Sequence, residues 1–217
     1  MSIKEAFEAR IASVISGRLV FMLGAANGLT GQKADGHKTE GFVQDLISAL
    51  LAPLLPSADL LQPSLQLVDD PALGACIPDL VIRRVGGGHW GALELKTLLI
   101  SDKLNASKVN RDLKKLCAYK VAYPDIAAVF VLVGSRSRLF NEQRRRAWSG
   151  LKISYEPMAF VGPRPQPQVL DTPGFVAVPC GSFNVDGVES CVFLWEVVRQ
   201  SDMTLLSTGY RFVAEMA

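Results

Sequence analysis

Apolar and polar residues follow two spacings along the chain, one typical of helices and one typical of strands. Apolar residues three or four apart, with flanking breakers, predict four helices, which cover residues 2–17, 39–51, 107–123 and 136–148. The continuous apolar run at 126–134 predicts a buried central strand. Further strands are predicted at 65–68, 175–180 and 191–198, and a hairpin at 79–99.

The order of these elements predicts the fold class. Helices alternate with strands, which favours one α/β domain in which helices flank a mixed central β-sheet. Its core is expected at about residues 40–135. Residues 155–174 hold five of the twelve prolines and are predicted to form an arm or loop of that single domain.

The predicted hairpin carries charges in unusual places. It reads IPDLVIRRVGGGHWGALELK, and Glu94 and Lys96 interrupt its apolar second strand. An unpaired buried charge costs several kcal/mol, so such groups are paired or hold a cation. Strand alternation places Glu94 and Lys96 on one face, with Leu93 and Leu95 on the other.

The position of Asp79 relative to these charges depends on the glycine turn. An odd loop centred on Gly87 sets Asp79 across from Leu95, and the three charged groups then stay apart. An even loop, or one bulge at the glycines, sets Asp79 across from Glu94 or Lys96. The three charged groups therefore converge only if the turn or a bulge sets Asp79 opposite Glu94 or Lys96, and a structure can test this condition.

Two carboxylates beside an ammonium suit metal-assisted hydrolysis. Aspartate and glutamate oxygens hold Mg²⁺, which keeps several of its waters. The ion lowers the pKa of a bound water, while a lysine deprotonates or orients that water. The alternative is a plain cross-strand salt bridge, in which Asp79 or Glu94 pairs with Lys96.

The same residues resemble a known motif. Pro78-Asp79, followed after fourteen residues by Glu94-Leu95-Lys96, resembles the motif of the PD-(D/E)XK nucleases. The resemblance implies a restriction-endonuclease-like core and hydrolysis of a phosphodiester to a 5′-phosphate. It makes Asp79 and Glu94 metal ligands, with the Leu95 carbonyl as a further ligand, and makes Lys96 the catalytic lysine. The implied cofactor is Mg²⁺, with Mn²⁺ as a substitute.

The resemblance also implies site residues on two helices. A glutamate on the helix before the hairpin often joins the site in that family, and Glu40 is the best match here. The helix after the motif often points a polar or aromatic residue into the site. Lys115, Tyr119 and Lys120 are all candidates for that role, and the sequence does not choose between them.

The basic residues are concentrated in the middle of the chain. The net charge is +2, but residues 97–152 hold twelve Lys and Arg against four acids, which leaves −6 elsewhere. This distribution favours a polyanionic partner; the alternative is that solvated helix faces happen to be basic. The candidate nucleic-acid contacts are Lys103, Lys108, Arg111, Lys114, Lys115, Lys120, Arg144, Arg145 and Arg146.

Membrane and secretory classes are not favoured. The longest apolar tract, residues 46–62, is interrupted by two prolines and an aspartate, and the N-terminal segment does not resemble a secretory signal. The four cysteines form no CxxC pair and are interpreted as reduced thiols, most of them buried. We therefore expect a cytoplasmic protein.

The expected function is a Mg²⁺-dependent DNA endonuclease, of the kind that the resembled family supplies to restriction or defence systems. One alternative is a non-catalytic nucleic-acid-binding or assembly protein that retains the fold. Another is an unrelated α/β protein whose Glu94–Lys96 pair is structural. The sequence does not distinguish DNA from RNA, and the family's habits allow a homodimer.

Overall fold

The computed structural model describes residues 18–19, 40–57, 60–98, 106–135, 168–183 and 190–202. The helices predicted at 2–17 and 136–148 lie outside these residues. Two longer helices lie within them, α1 at Glu40–Leu51 and α2 at Ala106–Ala122. The strands are β1 Leu61–Pro63, β2 Val68–Asp70, β3 Gly74–Cys76, β4 Leu80–Arg83, β5 His89–Leu98, β6 Ala127–Ser135, β7 Gln168–Val169, β8 Phe175–Phe183 and β9 Ser190–Arg199.

The main sheet is mixed, as predicted. Its order is β1-β4-β5-β6-β9-β8-β7, in which six strands have three or more residues and β7 has two. Strands β5 and β6 are parallel, and the other neighbours are antiparallel. Because a parallel pair needs a long connection, α2 crosses from the end of β5 to the start of β6. The predicted α/β class is therefore confirmed.

The two helices cover opposite faces of the sheet. Alternate residues of β6 divide between two apolar layers, so Val129 faces one layer and Phe130 the other. The α1 side chains Val43 and Ile47 lie in the layer with Val129. The layer with Phe130 contains the predicted stripe of α2, which is Val109, Leu113 and Leu116. Both faces of β6 are buried, which explains its continuous apolar sequence.

The hairpin contains the bulge that its glycines allow. Leu80 pairs with Leu93, but the register shifts after Ile82, so that Arg83 pairs with His89 and the strand β5 carries one extra residue. The backbone φ is positive at Gly86, Gly87 and Gly88, at 84°, 109° and 82°. A side chain would be strained at these positions, so the turn needs glycine there.

The bulge settles which residue Asp79 faces. Continuing the Leu80–Leu93 register by one residue sets Asp79 directly across from Glu94. Of the arrangements that the sequence left open, the structure has the one with a bulge, although the bulge lies in β5 beside the glycines rather than among them. Asp79 and Glu94 therefore lie on the same face of the hairpin, as a shared site requires.

Two short segments differ from the predictions. The strand expected at 65–68 is wrong for all but its last residue, because β2 begins at Val68 after a break at Ser64, whose φ is 54°. Asp70 then turns the chain into β3, since its Oδ1 accepts the N–H groups of Ala72 and Leu73 at 2.8 and 2.9 Å. In the proline-rich segment, Gln168–Val169 forms strand β7 instead of loop and pairs with β8.

Two further observations concern the expected class of protein. None of the described helices is long and apolar enough to cross a membrane. The four cysteines are free thiols, and all except the half-buried Cys180 are buried, as expected.

Candidate active site

The candidate site lies where three elements of the fold meet. Asp79 directly precedes β4, and Glu94 and Lys96 lie in the second half of β5. The first residue of α1, Glu40, and a polar stripe on α2 approach them from the two helices. The site is therefore assembled from the hairpin, the helix before it and the helix after it.

Asp79 is held by the backbone of the facing strand. Its Oδ2 accepts the N–H of Leu95 at 2.6 Å, a short, charge-assisted bond that fixes the carboxylate beside β5. The side chain of Gln44 on α1 donates to the backbone carbonyl of Asp79. Burial raises the pKa of Asp79 against the opposing effects of this bond and of the nearby lysines. The carboxylate is thus fixed at a place where a further cation would stabilise its ionised form.

Glu94 is the most enclosed charge of the site. Its side chain is 1% exposed, and its two oxygens have different partners. Lys115 Nζ lies 2.6 Å from Oε2, and the Tyr119 hydroxyl donates to Oε1 at 3.1 Å. Burial first, and then the charge of Asp79, raise the pKa of Glu94 to about 8 in spite of Lys115. Glu94 therefore holds a proton more firmly than an ordinary glutamate does.

Lys96 points to the helices and not to Glu94. Its ammonium lies 2.8 Å from Asp112 Oδ2 on α2, 3.2 Å from Glu40 Oε1, and donates to the Leu95 carbonyl at 2.7 Å. The contact with Asp112 is close but lacks hydrogen-bond geometry, so we treat it as an ion pair. Burial alone would lower the pKa of Lys96, but the carboxylates around it raise that pKa above its ordinary value. Lys96 is therefore a permanent cation near neutral pH.

The two lysines and three of the carboxylates form one chain of alternating charge. Lys115 contacts Asp112 Oδ1 at 3.2 Å as well as Glu94, so the order is Glu40, Lys96, Asp112, Lys115, Glu94. With Asp79 beside Glu94, four carboxylates face two ammoniums, which leaves a formal charge of −2 when all are ionised. One divalent cation would neutralise that charge.

The sequence did not identify every member of this cluster. Glu40, Asp79, Glu94 and Lys96 come together as the motif implied, and Lys115 and Tyr119 both reach Glu94. Asp112 was missed, although a signal for it exists. Asp112, Lys115 and Tyr119 are three and four residues apart, so they form one polar stripe along α2, beside the apolar stripe that packs on the sheet.

The third helix candidate lies elsewhere. Lys120 is 6% exposed, and its ammonium lies 3.4 Å from Glu196 on β9. A lysine that contacts nucleic acid must be accessible at the surface, whereas Lys120 is buried in an ion pair. The prediction that Lys120 binds nucleic acid or points into the site is therefore wrong. Lys115 likewise is engaged inside the site.

The remaining basic candidates divide in two groups. Lys108, Arg111 and Lys114 are exposed on α2, where a polyanion could reach them. Lys103 and Arg144, Arg145 and Arg146 lie outside the described residues.

The residues of the site fit a magnesium ion in their chemistry. In the described part of the chain, no three His, Cys, Asp or Glu side chains stand close enough to form a ready cluster of metal ligands. Magnesium does not need three, since it is commonly held by one or two carboxylates and retains its waters. Asp79 and Glu94 face each other across the hairpin. Burial raises the pKa of each carboxyl, so a bound cation would stabilise the ionised form of both.

Comparisons of the chain with protein-family models, with curated proteins and with solved structures found no match.

Proposed function

We propose that this protein is a Mg²⁺-dependent phosphodiester hydrolase that cuts DNA, with a core like that of the PD-(D/E)XK nucleases. One observation carries the proposal: Asp79 and Glu94 lie opposite each other in a bulged hairpin, with Lys96 two residues further along the same strand. The helix before the hairpin contributes Glu40, and the helix after it packs behind the site. Both features agree with what the motif implied.

Asp79 and Glu94 would hold the ion, and the Leu95 carbonyl, which accepts a hydrogen bond from Lys96, would be the further ligand that the motif implies. A bound Mg²⁺ supplies a water of lowered pKa and stabilises charge that develops on the phosphate. Lys96 stays protonated, so its role is to donate a hydrogen bond to the attacking water or to a phosphate oxygen. Glu40 and Asp112 hold the Lys96 ammonium beside the carboxylates.

Cleavage of plasmid and linear DNA with Mg²⁺ or Mn²⁺ tests the proposal. Asp79→Asn is the sharpest variant, because an amide oxygen can still accept the N–H of Leu95 while the ligand charge is lost. We expect Asp79→Asn and Lys96→Ala each to reduce cleavage by about 100-fold or more. Asp45→Asn, an exposed position on α1, is the matched control and should cut like the wild type.

The second candidate is a non-catalytic nucleic-acid-binding or assembly protein that keeps the fold. It is favoured by the contact of Lys115 with Glu94, because an ammonium 2.6 Å away already satisfies that carboxylate. Under this alternative the protein binds DNA without cutting it, and Asp79→Asn has no effect. If the wild type neither binds nor cuts nucleic acid, the cluster is a structural ion-pair network.

A further inference from the structure

Asp112 is the central member of the charge chain and belongs to no part of the motif. It is 7% exposed, and its two oxygens face different lysines. Lys96 lies 2.8 Å from Oδ2, and Lys115 lies 3.2 Å from Oδ1. Among the described residues, Asp112 alone contacts both ammoniums.

The contact between Lys115 and Glu94 creates a problem that any cation at the site must solve. Lys115 lies 2.6 Å from Glu94 Oε2, so a cation that uses this carboxylate competes with an ammonium already there. A displaced ammonium with no other anion would stay near the incoming charge and repel it. The site therefore accepts a cation readily only if Lys115 has somewhere else to go.

Asp112 provides that second place without any movement of the backbone. Lys115 and Asp112 lie one turn apart on α2, and their charged groups are already in contact. Lys115 can therefore transfer from Glu94 to Asp112 by a change in its own side chain. Lys96 remains on the other oxygen of Asp112 during this change.

We propose that Asp112 is a positioning residue that receives Lys115 when a divalent cation takes Glu94, and so opens the metal site. The inference rests on the proposed function, because it assumes that Asp79 and Glu94 bind a cation. Asp112 could also favour the cation through its negative charge, or bind the cation directly as a ligand. The proposed role differs from both of these, because it acts only through Lys115. A double-mutant cycle separates these cases.

The experiment measures Mn²⁺ binding by the full-length protein, from the electron paramagnetic resonance signal of free Mn²⁺, with Mg²⁺ as competitor. The variants are Asp112→Asn, Lys115→Gln, their combination, and Asp112→Glu. We expect Asp112→Asn to weaken Mn²⁺ binding by about tenfold. In the Lys115→Gln background the same change should alter the affinity by less than about twofold, since no ammonium remains to be received. Asp112→Glu, which keeps the anion, should bind more tightly than Asp112→Asn.

The outcomes separate the inference from the proposed function. Equal weakening by Asp112→Asn in both backgrounds would overturn the positioning role while leaving metal binding intact. Absence of Mn²⁺ binding by the folded wild type would overturn the proposed function and this role together. If Asp112→Asn alone does not fold, Lys115→Gln is compared with the double variant. The positioning role requires these two proteins to bind Mn²⁺ with the same affinity, and a clear difference would overturn it.

Discussion

The ammonium of Lys115 lies 2.6 Å from a carboxylate, Glu94, that is 1% exposed to solvent. A lysine on a helix and a glutamate in the middle of a strand are thus joined inside the protein. Such a pair repays its desolvation only when its geometry is good and both groups find further hydrogen-bonding or ionic partners. The site supplies those partners, Asp112 for the lysine and Tyr119 for the glutamate.

The first prediction concerns stability as a function of pH without divalent cations. Burial raises the pKa of Glu94 from an ordinary 4.5 to about 8, so the folded state binds a proton more tightly than the unfolded state. The stabilisation that Glu94 gives the folded state is therefore fully present below pH 4.5, and it is lost as the pH rises to about 8. We expect the free energy of unfolding to fall by on the order of a few kcal/mol over this interval. Urea denaturation in EDTA measures it.

Glu94→Gln is the variant for this measurement, since a neutral amide does not titrate. Its unfolding free energy should fall less between pH 5 and pH 8 than that of the wild type, and Asp45→Asn should keep the wild-type slope. An identical slope in Glu94→Gln would contradict the prediction.

The second prediction concerns the effect of pH on cation binding. A divalent cation binds ionised Glu94, so below pH 8 it must displace a proton. We expect the dissociation constant for Mg²⁺ to rise by up to about tenfold for each pH unit below that value. Calorimetric titration at pH 6, 7 and 8 measures both the affinity and the protons released. Equal affinity for Mg²⁺ at pH 6 and pH 8 would contradict the prediction that the ion displaces a proton from Glu94.

The third prediction separates two roles of Lys96. Lys96→Met removes a cation from between Glu40 and Asp112, which leaves Asp112 with Lys115 alone. We expect a loss of about 2–4 kcal/mol of stability and of nearly all cleavage. Lys96→Arg should recover stability more fully than activity, because guanidinium geometry does not match that of an ammonium. Thermal melting and DNA cleavage on the same samples test this, with Lys114→Met as the control. Wild-type stability of Lys96→Met would contradict the ion-pair geometry.

The fourth prediction divides the basic residues of α2 by their helical position. Lys108 and Arg111 precede Asp112 and Lys115 by one turn, so they continue the site's side of the helix, whereas Lys114 lies on another side. We expect Lys108→Ala and Arg111→Ala to weaken DNA binding several-fold and to lower its salt slope by about one. Lys114→Ala should have a much smaller effect.

Fluorescence anisotropy at several salt concentrations, in Ca²⁺ to prevent cutting, measures this difference. Equal effects of all three substitutions would mean that the charge of the helix matters and its orientation does not.

Much of the fold could be predicted because its signals are local. The spacing of Val43 and Ile47 gives α1, and the unbroken apolar run gives β6. The pairing of Asp79 with Glu94 was only conditional, since it depends on a bulge whose position no local preference fixes. Of the two ion-pair partners of Lys96, Glu40 was suggested only by the resemblance and Asp112 was missed, because both contacts form only when the tertiary fold brings α1 and α2 to β5.

The bulge in the β4–β5 hairpin also has a consequence for the evolution of the site. Side chains alternate along a strand, so the faces of Asp79 and Glu94 depend on the number of strand residues between each of them and the turn, after any bulge is counted. Gain or loss of a single residue within β4 or β5, between the turn and one of these carboxylates, would move that carboxylate to the other face, unless a compensating bulge arose with it. A change in the length of the loop itself can leave the paired strands as they are. Among descendants of such a hairpin, single-residue changes in these strand segments should therefore occur together with a bulge.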